Sequence, residues 1–391
     1  MILCPSLIAP GGVERVVTSI SSILANGYTV FECSFDPRDS RRHFESPAEF
    51  IPLGRSLRLP LVLRLISYAV DVMRLRRVKR SLRVDITISN LWRADLLNVL
   101  SGGPDKKIAI WHINVEGNPS NKVMLRLLPL VRAIYHRFDR LVAVSRPLAD
   151  EVGRLYGVEA RRISVIYNPL GAAVSQPEKR TDGRVRAVWC GRMVKEKNVV
   201  VLADIFAATS EACPSLQLVL IGDGVLREML EARLRQLKLR CGCSLLDLES
   251  DVIMTGLVEE PAALLAQCDL QLAPSSDEGL GMAVIEGFAA GLPVIAANCR
   301  GGGLHDALDA PESYRPGRTK AQQTTCGFLL PVPHVDNPAT INMWRDHLIT
   351  LATNTSLRVQ LSEGCRARVL AFAPDVARSK WVALIESLTV T

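Results

Sequence analysis

The fold is indicated most directly by one stretch in the second half of the chain, LQLAPSSDEGLGMAVIEGFAAGLPVIA, which occupies residues 270–296. Its first four residues form an apolar run that predicts a buried strand, and a polar turn with two glycines follows. After the turn, apolar residues recur at helical spacing until a second apolar run begins at residue 293. A strand, a helix and another strand in this order predict a unit of two parallel strands joined by a helix.

The same alternation extends over most of the chain and predicts parallel sheets that are covered by helices on both faces. The predicted fold class is therefore α/β, with two Rossmann-like, doubly wound domains that face each other across a cleft. Predicted strands of the first half occupy residues 2–8, 28–35, 85–89, 107–112, 140–145 and 162–167. Those of the second half occupy residues 185–190, 216–221, 252–255, 270–273 and 293–296.

Chain length supports two domains, because 391 residues exceed one ordinary core and suit two α/β domains of roughly 150 to 200 residues. A polar, turn-rich stretch at residues 173–183 predicts a linker between domains at residues 1–172 and 184–372. Residues 300–326 lack clear periodicity and predict a flexible or functional loop. The chain closes with a predicted helix at residues 374–388.

The composition predicts a globular protein in the cytoplasm. No apolar run is long enough to span a membrane, and the first residues lack the basic leader of a signal peptide. Ten cysteines are scattered, and only Cys241 and Cys243 lie close together, without the spacing of a zinc site. We therefore expect reduced thiols and no metal site.

The formal net charge of +7 is concentrated in residues 55–83, which carry nine Arg and Lys residues against one acidic residue, Asp71. Interleaved apolar residues predict a basic amphipathic helix. Its charge fits the solvated face of a domain helix, and it also fits attraction to an anionic membrane surface. Nucleic acid fits least, because no stacking aromatic residues accompany the charge.

Two carboxylates flank the helix start within residues 270–296. Glu278 lies in the turn, and Glu286 follows eight positions later in the helix, so both can point along one side toward its N-terminus. Carboxylates accept hydrogen bonds from hydroxyl groups, which suits a sugar. Four residues between these two glutamates form the predicted helix start. A helix start favours a phosphate, because its backbone amides are unpaired and the helix dipole is positive there. These residues are Gly279, Leu280, Gly281 and Met282.

Two further turns follow predicted strands. Arg192 and Lys197 come after residues 185–190, where a planar bidentate donor and a compact cation can offset the charge of a leaving diphosphate. Gly11 and Gly12 come after the first strand, where adjacent glycines let the backbone approach a phosphate.

Taken together, these motifs resemble the retaining family-four (group 1) glycosyltransferases, which have the GT-B architecture, over nearly the whole chain. The resemblance is strongest in the Glu-x7-Glu pattern and in the loop with Arg192 and Lys197. Weaker matches are Gly11-Gly12-Val13-Glu14-Arg15, Val142-Ala143-Val144-Ser145, Val165-Ile166-Tyr167-Asn168-Pro169 and Leu220-Ile221-Gly222-Asp223-Gly224.

The resemblance implies a role for each matching residue. It implies that Glu278 holds hydroxyls of the transferred sugar, Glu286 the ribose hydroxyls, and Arg192 and Lys197 the diphosphate. Backbone amides at Gly12, Gly281 and Met282 would face phosphates. Val258 would lie beside the base of the nucleotide, and His112 would face the donor sugar from the first domain.

The implied activity is metal-independent, retaining transfer of a hexosyl group, without a cofactor, from a UDP-sugar, or second a GDP-sugar, to a glycan or lipid-linked acceptor. A closing helix that returns to the first domain is implied as well. The basic stretch at residues 55–83, and not the resemblance, adds the expectation of peripheral contact with the inner membrane face. The chain departs from the family where Gly302-Gly303-Leu304-His305-Asp306 replaces Gly-x-x-Glu, and where the helix start has Gly-Leu-Gly.

Other activities remain open at this point. A nucleotide-sugar epimerase of the same architecture would convert the donor without an acceptor, and a non-catalytic protein would only bind the nucleotide sugar. A nicotinamide dehydrogenase is disfavoured, because no Gly-x-Gly-x-x-Gly follows the first strand.

Overall fold

A computed structural model describes residues 1–8, 11–36, 42–54, 61–115, 127–171 and 182–389, with the backbone alone for residues 61–66. The chain forms two compact units. Met1–Gly171 and Phe372–Thr391 make up the first, and Ala172–Ala371 the second. Most of the predicted linker, residues 173–181, lies outside the described residues.

The first unit is built on a parallel sheet of seven strands in the order β3-β2-β1-β4-β5-β6-β7. The order of the strands reverses between β1 and β4, so the sheet has a switch point there, where loops diverge and ligands can bind. The strands are β1 Ile2–Cys4, β2 Phe31–Ser34, β3 Glu49–Pro52, β4 Ile86–Asn90, β5 Lys106–Trp111, β6 Arg140–Ala143 and β7 Ile163–Val165.

Helices connect these strands and bury apolar side chains against the sheet. The helix after β1, for example, buries Val17, Ile20 and Leu24 at helical spacing. A core cluster joins Leu3, Phe35 and other apolar side chains of the sheet to residues of two helices. The helices are α1 Gly12–Ala25, α2 Leu61–Ser81, α3 Leu91–Ser101, α4 Leu128–Tyr135 and α5 Arg146–Tyr156.

The second unit is built on a sheet of eight strands in the order β10-β11-β9-β8-β12-β13-β15-β14. All pairs are parallel except β14 with β15. The switch point lies between β8 and β12. The strands are β8 Val185–Cys190, β9 Leu216–Ile221, β10 Cys241–Gly242, β11 Val252–Gly256, β12 Leu270–Ala273, β13 Val294–Ala297, β14 Gln322–Thr324 and β15 Gly327–Leu330.

Apolar strands of this sheet are buried on both faces, as the continuous run at Leu216–Ile221 illustrates. Leu265 on a covering helix belongs to the core, as does Ala290, which directly follows another of these helices. The covering helices are α6 Val201–Ser210, α7 Arg227–Gln236, α8 Ala262–Leu265, α9 Met282–Ala289, α10 Gly303–Ala307, α11 Pro338–Thr353 and α12 Thr355–Val369.

The closing helix, α13 (Pro374–Thr389), belongs to the first unit, as predicted. The amide of Leu170 donates to the Phe372 carbonyl at 2.9 Å, and Arg378 donates to the carbonyl of Asn26 at 2.7 Å. Trp381 is buried in this unit. The predicted fold class, with two Rossmann-like sheets and a returning helix, is therefore confirmed.

Several local predictions were wrong. Strand β3 was missed, because its four residues lie at the edge of the sheet and show no clean alternation. Residues 300–326 contain α10 and β14, which are too short to produce a periodic pattern. This segment is also anchored, since Tyr314 donates to the Cys299 carbonyl at 3.0 Å and Asn298 to the Arg315 carbonyl at 2.9 Å.

The basic stretch at residues 55–83 was predicted as a single amphipathic helix. The described helix is α2, and its charges are divided between its faces. Lys79 is buried and pairs with Asp105, whereas Arg76, Arg77 and Arg80 are exposed. Across the described ranges, no helix has both the length and the apolar character that crossing a bilayer requires.

Candidate active site

Two turns meet at the switch point of the second unit, one after β8 and one after β12. Lys197 ends a short 3₁₀ turn after β8, and its ammonium group forms an ion pair with Oε1 of Glu278. The hydroxyl of Ser275 donates to the same carboxylate oxygen at 3.3 Å. Side chains of the pair are only 24% and 15% exposed. Two residues predicted from separate motifs are thus in direct contact.

Backbone hydrogen bonds hold these two turns together. The amide of Ser276 donates to the Glu196 carbonyl at 2.8 Å. Asn198 donates from its side-chain amide to the carbonyls of Pro274, at 3.2 Å, and Pro333, at 3.0 Å. Asn198 was not predicted as a site residue. Its position directly after the basic turn is the signal that could have identified it, because asparagine tolerates the left-handed backbone found there (φ 51°).

The turn after β12 leads into α9 through Gly281. Its φ of 86° lies in the left-handed region, which favours glycine, and a Cβ there would displace the Leu304 side chain, 2.5 Å away. Glu278 is fixed through its backbone, which donates to the Arg300 carbonyl and accepts from the Gly303 amide, both at 3.1 Å. The predicted group Gly279, Leu280, Gly281 and Met282 therefore lies at the start of this helix, whose first amides have no partner within the helix.

Glu286 lies on α9 itself and is half-buried between the buried residues Ile285 and Gly287. It lies just over one turn into the helix, which begins at Met282, and eight residues after Glu278. Val258 follows β11 and is also half-buried, packed against the core cluster of the unit. Because β11 lies beside β9, and β9 beside β8, Val258 belongs to the same edge of the sheet as Lys197.

Arg192 lies on the turn after β8, and its side chain is exposed. The backbone of this turn packs tightly against the next turn. Met193 donates to the Asp223 carbonyl at 2.8 Å, and a Cβ on Gly222 (φ 134°) would lie 1.9 Å from the Gly191 carbonyl oxygen. The backbone of this turn is therefore held in place, and the exposed Arg192 side chain is accessible to an anionic ligand.

In the first unit, Gly11 directly precedes α1, and Gly12 is the first residue of that helix. Gly11 is the N-cap residue, and its carbonyl accepts from the Arg15 amide at 3.1 Å. Gly12 is exposed, and none of the described residues beyond its own helix and chain neighbours has an atom within 4 Å of the position that a Cβ would occupy. Its backbone is accordingly open to a ligand at the carboxyl end of β1.

His112 directly follows β5 and is buried, with Nε2 lying 2.8 Å from Oδ1 of Asn90. Burial lowers the pKa of His112 to about 4, so the imidazole is neutral near pH 7. It lines a small recess together with Trp92 and Asp95. Burial raises the pKa of Asp95 to about 7, although hydroxyl donors from two side chains partly oppose the shift. Asn90 and Asp95 were both missed by the sequence analysis.

The structure thus brings Lys197 and Glu278 into contact. Arg192, Val258 and the group from Gly279 to Met282 follow strands at the same carboxyl end of the sheet, and Glu286 lies on α9. Gly11, Gly12 and His112 belong to the first unit. Within the part of the chain that is described, no three His, Cys, Asp or Glu side chains are grouped as a metal site would need.

Two family matches cover most of the chain. Residues 184–317 match the family described as "Glycosyl transferases group 1", and residues 10–171 match the family described as "Glycosyltransferase Family 4". Together they take in about three quarters of the sequence. The first match contains the Lys197 and Glu278 turns, and the second contains the Gly11-Gly12 turn and His112.

A curated relative and two solved structures illustrate the similarity. The 4-alpha-N-acetylgalactosaminyltransferase of Campylobacter jejuni that acts on N-acetylgalactosamine-N,N'-diacetylbacillosaminyl-diphospho-undecaprenol is 21% identical over 304 residues, 75% of this chain and 79% of that protein. Sucrose-phosphate synthase from Thermosynechococcus elongatus superposes with a TM-score of 0.76 at 17% identity, over 100% of this chain and 98% of its own. Anabaena HepE, in complex with UDP and glucose, gives 0.69 at 17% identity, over 99% and 98%. The two structures show a shared GT-B fold.

Proposed function

Because the chain belongs to the group 1 glycosyltransferases, we propose that it moves a hexosyl group from a nucleoside diphosphate sugar onto a glycan or lipid-linked acceptor. The donor is a UDP-sugar, with a GDP-sugar as second choice. Transfer retains the anomeric configuration and needs neither metal nor cofactor. The observation that carries this proposal is the contact between Lys197 and Glu278, which unites a phosphate-binding cation with a hydroxyl-binding carboxylate.

In this mechanism Glu278 serves two purposes. An ammonium group has three donors, so the bond from Lys197 to Glu278 leaves two for diphosphate oxygens. The second oxygen of the Glu278 carboxylate accepts from sugar hydroxyls. Arg192 adds a bidentate donor, and the N-terminus of α9 adds its dipole. These groups stabilise negative charge as it grows on the leaving diphosphate, which usually contributes the largest share of catalysis.

The reaction passes through an oxocarbenium-like transition state. As the bond between the anomeric carbon and the diphosphate breaks, the acceptor oxygen bonds to the same face of that carbon. The acceptor proton goes to the departing diphosphate. His112, in the first unit, is neutral and accepts a hydrogen bond from a sugar hydroxyl, which its low pKa permits.

The known relatives support the choice of substrates. The HepE structure holds UDP and glucose, which favours a UDP-sugar, and the Campylobacter enzyme has an acceptor linked to diphospho-undecaprenol, which favours a lipid-linked acceptor. An epimerase would change the donor alone. Product analysis with and without acceptor separates the two reactions.

Nucleotide sugars should raise the melting temperature of the protein. A ligand present at 100 times its Kd stabilises the folded state by about 2.7 kcal/mol, so a panel of UDP, GDP, ADP and TDP sugars ranks the donors. We expect the largest rise with a UDP-sugar, and a smaller one for Lys197→Ala. A larger rise with a GDP-sugar would correct the base, and no rise with any member would contradict the proposal.

Transfer should proceed undiminished in EDTA, because side chains and helix amides neutralise the diphosphate. The measurement is the initial rate before and after exhaustive chelation. Loss of activity that Mg²⁺ or Mn²⁺ restores would overturn the metal-independent mechanism.

The exposed face of α2 is proposed to contact an anionic membrane at the cytoplasmic side. Met73, Arg76, Arg77 and Arg80 are exposed and recur at the spacing of one helical face. Each cation near such a surface contributes about 1 kcal/mol, so changing the three arginines to glutamine should weaken binding to phosphatidylserine vesicles about 100-fold.

Vesicle sedimentation tests this membrane contact, with neutral phosphatidylcholine vesicles as the reference surface. The matched control removes the same charge from the second unit, through Arg235→Gln, Lys238→Gln and Lys320→Gln, all at exposed positions. An equal loss of vesicle binding in both triple variants would be explained by net charge alone, and it would contradict a membrane contact at the α2 face.

A further inference from the structure

Asn90 occupies the switch point of the first sheet. It ends β4, which lies between β1 and β5, and it is completely buried. Asn90 is also the N-cap residue of α3, where an asparagine side chain ordinarily accepts from the helix backbone. Here its side chain makes no such capping bond among the described residues. The side-chain amide of Asn90 instead bonds to groups outside α3.

The side chain of Asn90 bridges the two neighbouring strands. Its Nδ2 donates to the Leu3 carbonyl of β1 at 3.1 Å, and its Oδ1 lies 2.8 Å from Nε2 of His112, after β5. A backbone carbonyl only accepts, so the NH₂ group must face Leu3 and the amide oxygen must face His112. Since the amide oxygen also only accepts, Nε2 of His112 has to carry the proton.

This arrangement leaves Nδ1 of His112 as the acceptor of the ring. No group hydrogen-bonds to Nδ1 among the described residues. The adjoining backbone departs from ordinary geometry, because Leu91 has a φ of 68°, a region that residues with a side chain rarely adopt. Such conformations cluster at functional sites, where surrounding contacts hold them.

We infer that Asn90 is a positioning residue, which fixes His112 as the Nε2–H tautomer and presents Nδ1 to a hydroxyl group of a sugar substrate. The inference rests on the proposed function, since it needs a sugar substrate at His112. It also specifies the ligand chemistry, because a neutral Nδ1 can bind a hydroxyl donor but not a bare carbonyl. Asn90 itself does not touch substrate and acts through the imidazole.

The tautomer can be measured directly on the full-length protein. In ¹⁵N-histidine NMR spectra at pH 7, His112, assigned by loss of its signal in His112→Ala, should show a protonated Nε2 and an unprotonated Nδ1. Asn90→Leu should shift this signal toward a mixture of tautomers. A protonated Nδ1 in the unaltered protein would overturn the inference, whatever the variant does.

Kinetics give the second readout, with the donor that stabilises the protein most in the thermal-shift panel. Asn90→Leu should lower kcat about 10-fold or more with a smaller change in donor KM, the size that partners of functional histidines often contribute. In a double-mutant cycle, Asn90→Leu should add nothing to His112→Ala, because Asn90 acts through that ring. Additive losses would assign Asn90 a merely structural role.

Asn98 provides a matched control. It is another buried asparagine of the same unit, with bonds to Ser89 and Lys79, and it does not contact His112. Asn98→Ala should leave the His112 tautomer unchanged, even where stability falls. Full activity of His112→Ala would contradict the proposed role of the histidine, while the NMR result would still decide the inference about Asn90.

Discussion

Replacement of Lys197 by alanine is expected to lower kcat for sugar transfer by about 10²-fold or more, the usual cost of losing one donor that stabilises transition-state charge. The ammonium group is held by Glu278 on the neighbouring turn, so it is oriented before the donor binds. Its removal takes away both the cation for the diphosphate and the partner that orients Glu278. Arg192→Ala should cause a loss of similar size.

Lys195 offers a close control for this experiment. It begins the same 3₁₀ turn, and its side chain is exposed. Lys195→Ala should retain nearly full activity, because that side chain makes no contact with Glu278 in the described structure. The melting temperature of each variant shows whether it remains folded. Full activity of Lys197→Ala and Arg192→Ala would defeat the proposed mechanism.

The second large effect concerns stability. Asp105→Ala should lower the free energy of unfolding by about 3–5 kcal/mol, the cost of leaving one charge of a buried pair without its partner. The carboxylate of Asp105 lies 2.9 Å from the Lys79 ammonium, and both side chains are almost fully buried. Thr87 donates to the same carboxylate at 2.7 Å. Denaturant unfolding of the purified variant gives the value.

Burial lowers the pKa of Lys79 to about 8 from its ordinary 10.5, against the opposing effect of Asp105. Between these two values the unfolded chain retains a proton that the folded chain has lost. Stability contributed by this group therefore rises as the pH rises through that window. Asp105→Ala should lower the pKa of folded Lys79 further, because the carboxylate that favours its charged form is gone. The rise in stability should then begin at a lower pH.

A double variant separates charge burial from packing. Lys79→Met with Asp105→Leu removes this pair and keeps apolar volume, so it should be more stable than Asp105→Ala. It should remain less stable than the original protein, because Lys107, 3.4 Å from Asp105, also loses its carboxylate partner. A loss below 1 kcal/mol for Asp105→Ala alone would show that water or another group compensates Lys79. Such a result would contradict the account of this pair as a buried ion pair.

Much of the fold follows from local patterns, as the strand at Leu216–Ile221 and the helix start at Gly281 illustrate. The contact between Lys197 and Glu278 could not be predicted in this way. It joins residues 81 positions apart and depends on β8 and β12 being neighbours in the sheet. Sequence periodicity reports which faces are buried, but it does not determine strand order.

Asn90 shows a different reason for failure. An asparagine between a strand and a helix is typical of a helix cap, so its local role is already accounted for. Its bonds to Leu3 and His112 depend on three strands being side by side. A polar residue directly after a β-branched strand is the signal that could have singled it out, because ligands bind at the carboxyl ends of parallel strands.

The return of α13 to the first unit makes that unit discontinuous in the sequence, since the whole second unit is inserted before Phe372. During synthesis on the ribosome, the first sheet is therefore complete long before the helix that supplies Trp381 to the same unit. Domains generally fold in the order in which they are made. In this protein the first unit has to wait for α13, which is translated after the second unit. A premature stop after residue 371 would remove α13 from the first unit and leave the second unit whole.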